Sequence, residues 1–140
     1  MRNLVLSALI VLGTATTAAA VAQGVDQAQM MSGAVAQPRT VEIDLSNFAF
    51  APKTIQLQGG VPIVLKLVNN ASGGHNFSAP QFFAAAQLAP GQAAISDGTI
   101  EVPAHGTVEV RLTPAHGQYE LRCTHPFHAL FGMRGEIEVS

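Results

Sequence analysis

From Thr40 onward, apolar and polar residues alternate in short runs. Val41, Ile43 and Leu45 alternate with Glu42 and Asp44 in VEIDLS, Ile55 and Leu57 stand two apart in TIQLQ, and Ile63, Leu65 and Leu67 do the same in PIVLKLV. Further on, TIEV pairs Ile100 with Val102, TVEVRL aligns Val108, Val110 and Leu112, GQYELRC aligns Tyr119, Leu121 and Cys123, and GEIEV aligns Ile137 with Val139. A period of two puts the apolar members of each run on one face of a strand. About seven such strands, separated by Gly, Pro or Asn, predict an all-β sandwich or barrel in which each strand buries one face against a facing sheet. One segment breaks the alternation. SAPQFFAAAQLAPG, residues 78–91, has Pro80 suited to a first helical turn, helix formers to Leu88 and a Pro-Gly stop, which predicts one short helix inserted in a long connection.

The N-terminal part follows a different pattern. Arg2, an apolar run from Leu4 to Leu12, and small residues ending in Ala20-Val21-Ala22 predict a secretory signal peptide over residues 1–22, which implies export to the periplasm. Residues 23–39 are rich in Gln, Ala and Gly without periodicity and predict a flexible leader, in which Met30 and Met31 lack any neighbouring histidine. One domain over residues 40–140 remains, large enough for a hydrophobic core. The chain has 7 Lys or Arg and 9 Asp or Glu, scattered without a basic run, which excludes nucleic acid as a partner. Nothing in the domain predicts a membrane span.

Export changes the meaning of the single cysteine, Cys123. In an oxidising compartment a lone thiol is buried and inert, paired between chains, or occupied. Strand parity turns Cys123 inward with Leu121, and turns Met133 inward with Ile137 and Val139. His128 stands midway between the two sulfurs, in the spacing Cys-x4-His-x4-Met. His75, in GGHNFS after the strand ending at Val68, supplies a second imidazole, and two glycines before it allow close approach of backbone. One thiolate, two imidazoles and one thioether form a soft donor set that suits copper, in the trigonal arrangement used for electron transfer. His125 competes for the same role: if the strand ran straight on, it would share the face of Cys123, although Pro126 bends the chain directly after it. Cysteine–histidine nucleophilic catalysis lacks an orienting third group and any device that lowers the thiol pKa, so no enzyme activity is predicted. His116 opens the strand that ends at Cys123 and so falls at the far pole, while His105 carries no assignment.

Taken together, residues 40–140 resemble the cupredoxins, the family of plastocyanin, azurin, pseudoazurin and the phytocyanins. The resemblance rests on the His75-Asn76 pair, on TVEVRLTPAHGQYELRC leading into the cysteine, and on the terminal Cys, His, Met order. It implies a Greek-key β-sandwich of seven to eight strands holding one type 1 copper ion. His75, Cys123 and His128 would be its equatorial ligands and Met133 the axial one. Asn76 would tie its segment to the backbone beside Cys123, and the Gly74 carbonyl falls where some members place a weak axial contact. The Cys-x4-His-x4-Met spacing is phytocyanin-like, which favours His128 over His125. The resemblance also implies an apolar rim, Pro126, Phe127, Ala129, Leu130 and Phe131, around an exposed edge of His128, where redox partners make weak, transient contacts with a monomer. The expected activity is shuttling of single electrons. Copper delivery or resistance is the rival reading, and the lack of a Met/His-rich tail speaks against it.

Overall fold

A computed structural model describes residues 37–92 and 95–140, so the predicted signal peptide and all but the end of the predicted leader lie outside the described residues. All seven predicted strands form. They are β1 (Arg39–Ser46), β3 (Thr54–Leu57), β4 (Ile63–Asn69), β7 (Thr99–Val102), β8 (Thr107–Thr113), β9 (Gly117–Arg122) and β10 (Arg134–Val139). Three shorter ones join them: β2 (Ala49–Ala51), β5 (His75–Ser78) and β6 (Gln87–Leu88). The inserted helix, α1 (Pro80–Ala85), starts at the expected proline and stops earlier than expected. Its chain turns extended at Ala86, and Gln87 and Leu88 then pair with Thr113 and Leu112, so sheet hydrogen bonds end the helix before its propensity does.

The strands form two five-stranded sheets, in the orders β2-β1-β4-β8-β6 and β3-β10-β9-β5-β7. Each sheet contains one parallel pair, β1 with β4 and β3 with β10, and the other pairings are antiparallel. The predicted alternation gives the core directly. Ile43, Leu45, Ile63, Leu65, Leu67, Val110 and Leu112 of one sheet, with Ile55, Ile100, Val102, Leu121, Ile137 and Val139 of the other, are all buried. Phe77, Phe82 and Phe83 fill the space beneath α1 in edge-to-face contacts, with centroids 5.3–5.9 Å apart.

β5 explains why the fold can hold a buried polar site. All four of its residues, His75, Asn76, Phe77 and Ser78, are buried, because β7 pairs along its length on one side and β9 joins it on the other. The loop before it is held by Asn69, which occupies the next inward position of β4 after Leu67. Its amide donates to the carbonyls of Gly73, Val102 and Pro103 at 2.9–3.1 Å, and its Oδ1 accepts from Ala71 N–H. A buried amide whose donor and acceptor groups are both engaged fixes the 70–74 segment, and hence the position of His75.

Candidate metal centre

Three of the predicted residues meet where β5 and the segment between β9 and β10 come together. The ligand atoms of His75, Cys123 and His128 lie within 4.8 Å of one another. The Nδ1 atoms of the two imidazoles are 3.0 Å apart, and His128 Nδ1 lies 3.5 Å from Cys123 Sγ. Cys123 is buried at the end of β9 on the inward face given by its parity, and Met133 is completely buried immediately before β10.

Backbone bonds fold the intervening segment back on itself. His128 N–H donates to the His125 carbonyl, Phe131 N–H to that of Phe127, and Met133 N–H to that of His128. Cys123 N–H donates to the Met133 carbonyl at 3.1 Å, which closes the loop and brings its two sulfur-bearing residues side by side. Arg134 Nε braces the turn from outside by donating to the Ala129 carbonyl.

The donor set fits a metal ion. Atoms separated by 3.0 and 3.5 Å have the spacing of neighbouring ligands bound to a common ion at bond lengths of about 2.0–2.3 Å. His75 Nε2 is buried without a hydrogen-bond partner, so the polar contact of that ring is made entirely through Nδ1, at the centre. Burial, aided by the nearby His128 and His125, holds the His75 imidazole below its usual pKa and so favours the neutral form that a metal ligand needs. No carboxylate belongs to the cluster, which is therefore suited to a soft ion and not to calcium or magnesium.

Asn76 makes the predicted tie and more. Its backbone N–H lies 3.5 Å from Cys123 Sγ, its Oδ1 accepts from Thr124 N–H, and its Nδ2 donates both to Thr124 Oγ1 and to Glu101 Oε1. Glu101 stands directly across from Asn76 in the β5–β7 pair, and its other oxygen lies 2.9 Å from His125 Nε2. Burial raises the Glu101 carboxyl, but the bonds from Asn76 and His125 together outweigh it and hold the group below its usual pKa. The competing imidazole thus sits on Glu101, outside the cluster.

The predicted rim is present. Phe127, Leu130 and Phe131 are 68%, 76% and 64% exposed, so neither phenylalanine belongs to the core. Phe48, between β1 and β2, joins them and meets the His128 ring edge-on at 5.2 Å and Phe131 at 5.4 Å. His116 lies against Gly59, beside the chain's C-terminal residue, as expected for the far pole. Sequence reasoning missed Asn69, Glu101 and Phe48. The parity of β4 could have flagged Asn69 as an inward polar residue, whereas the other two depend on cross-strand register and on a hairpin tip that the pattern does not specify.

A buried thiol and two convergent imidazoles at the end of a β-sandwich define a single-ion, soft-metal protein. The comparisons make the class specific. The family model for copper binding proteins of the plastocyanin/azurin family matches residues 38–140, and the chain belongs to that family, with copper as its cofactor. Auracyanin B is 27% identical, with a TM-score of 0.55 over 73% of this chain and 88% of its own. Auracyanin A, a "blue" copper protein from the green thermophilic photosynthetic bacterium Chloroflexus aurantiacus, is 25% identical, with a TM-score of 0.53 over 74% of this chain and 99% of its own. The McoA multicopper oxidase of Aquifex aeolicus shares the fold at 16% identity and a TM-score of 0.58, over 75% of this chain but only 30% of that enzyme. A search of curated proteins finds no match.

Proposed function

We propose that this protein is a periplasmic type 1 copper protein that carries single electrons between redox partners, with His75, Cys123 and His128 as the strong ligands and Met133 as the weak axial one. The observation that carries the reading is the asymmetry of the cluster: His75 and Cys123 are buried, while His128 is part-exposed beside Phe127, Leu130 and Phe131. One ligand thus spans the distance from a dry centre to an apolar surface.

When bound, copper supplies the one-electron couple. The chain supplies the rest. Its sandwich and the Asn69 and Asn76 bonds fix the donor atoms beforehand, so that a change of charge at the centre need not rearrange them. Met133 and the surrounding core exclude water and lower the local polarity, and the exposed rim offers a small contact suited to brief association. Auracyanin A's description as a "blue" copper protein supports this reading, and so does the soft donor set. Residues 40–140 form the carrier domain. Export rests on the sequence pattern of residues 1–22, and among the described residues no helix is long and apolar enough to cross a membrane.

The protein loaded with Cu(II) should absorb intensely in the visible through its Cys–Cu bond, lose that band on Cys123→Ser, and give a reversible one-electron voltammogram. A colourless oxidised sample, or one that surrenders copper readily to a chelator, would instead support a delivery role.

A further inference from the structure

Two imidazoles flank His128 almost equally. The ring centroid of His75 lies 4.8 Å from that of His128, and the centroid of His125 lies 5.4 Å from it. Both come from segments adjoining the cluster, and His125 follows Cys123 by two residues. Only His75 presents a nitrogen to the cluster. His125 instead directs Nε2 to Glu101 Oε2 at 2.9 Å, and the other oxygen of that carboxylate accepts from Asn76 Nδ2 at 2.7 Å.

We infer that Glu101 is a positioning residue that selects the ligand set: it holds His125 away from the metal and, through Asn76, holds the Cys123–Thr124 backbone in place, so that His75 and His128 alone supply nitrogen. This rests on the copper reading above. Stability alone is a weak reason for this arrangement. The Glu101 and His125 side chains are 64% and 32% exposed, and ion pairs so open to water contribute little to folding. As a restraint on one ring the same contact is effective, since a bond at either end of the Glu101 carboxylate fixes its orientation and leaves His125 little freedom. Cu(II) accepts an additional or alternative imidazole readily, so a free His125 one ring away from the centre would compete for it.

The test compares Glu101→Ala, His125→Ala and the double variant, each loaded with Cu(II). E101A should weaken the visible Cys–Cu band about twofold or more and widen the copper hyperfine splitting, while E101A/H125A should return both most of the way to the wild-type pattern, the remainder reporting the lost bond to Asn76. A double-mutant cycle reads this coupling between neighbours directly. H125A alone should leave the spectrum unchanged. Metal-free protein gives an independent readout. Imidazole ¹H–¹⁵N spectra should show a single fixed His125 tautomer in wild type and averaged signals in E101A. A merely structural Glu101 would lower the melting temperature of E101A without any His125-dependent change in spectrum, and that result overturns the proposal. Should E101A fail to fold, Glu101→Gln carries the test, because it keeps the shape and an acceptor for Asn76 but removes the charge facing His125. A spectral change in E101Q that H125A reverses supports the inference, and an E101Q spectrum identical to wild type while the His125 signals have become averaged overturns it. A wild-type protein with no visible band would refute the copper reading itself, which is a different outcome from a wild-type band that E101A leaves untouched.

Discussion

His128 connects the interior of this protein to its surface, and its surroundings show how one residue can do both. Nδ1 faces Cys123 Sγ and His75 Nδ1, while Phe48 packs edge-on against the ring and the rim residues stand around it. Phe48 adopts φ 61°, a conformation that bulky residues rarely take, so its placement over the imidazole is imposed by the hairpin tip and not by its own preference. Because the ring enters from the loop side, its removal need not disturb the other donors. His128→Gly should therefore still bind copper through His75, Cys123 and Met133, lose its wild-type spectrum, and recover a closely similar spectrum when imidazole is titrated in. If H128G keeps the wild-type spectrum without imidazole, and His125→Ala loses copper, the ligand is His125.

At the scale of elements, the site depends on one short strand and the loop that feeds it. Asn69 ends β4 and replaces the water that would otherwise solvate the carbonyls of Gly73, Val102 and Pro103. Asn69→Ala leaves those carbonyls and Ala71 N–H without that partner, at a cost of about 2–3 kcal/mol. In a domain of this size that corresponds to a fall of roughly 10 °C or more in the melting temperature of the metal-free protein. Calorimetry checks the loss, and a Cu(I) competition titration should show weaker binding as well, because the same loop delivers His75. An unchanged melting temperature would mean that water substitutes for the amide at no cost.

This element also marks what the sequence could reveal. Cys123 and Met133 were legible because one face of β9 and of β10 meets solvent, so period two assigns each sulfur a direction. β5 was not, because HNFS is buried throughout and carries no alternation, and His75 could be placed only in a loop after Val68. Whether Glu101 meets Asn76 depends on cross-strand register, which no local pattern encodes. Pro126 and the spacing favour His128 over His125, but what holds His125 aside was not legible, because the carboxylate that captures it arrives from a strand more than twenty residues earlier.

On the scale of the whole molecule, the exposed apolar surface at the rim comes from a segment with no charged residue of its own, and arginines border it. The chain carries a formal net charge of −2, yet the segment CTHPFHALFGM contains no Asp, Glu, Lys or Arg. An apolar patch that carries no charged residue within its own segment, though Arg122 and Arg134 border it, allows two copies of a weakly anionic protein to touch there without strong repulsion, and a contact between identical patches is self-complementary. If electrons pass at this surface, self-exchange between oxidised and reduced copies must use it. Leu130 is 76% exposed, so a substitution there alters the patch and leaves the buried donors in place. Leu130→Asp puts like charges at the centre of the encounter and should slow self-exchange about tenfold, with part of the rate returning as salt screens the repulsion. Leu130→Ser should slow exchange less, and that loss should be insensitive to salt, since only apolar contact is removed. NMR line broadening in mixtures of the two oxidation states measures the rate, and both variants should keep the wild-type visible spectrum and reduction potential. If the L130D rate equals that of wild type at low salt, electrons leave through another face, and the asymmetry of the cluster loses the functional meaning given to it here.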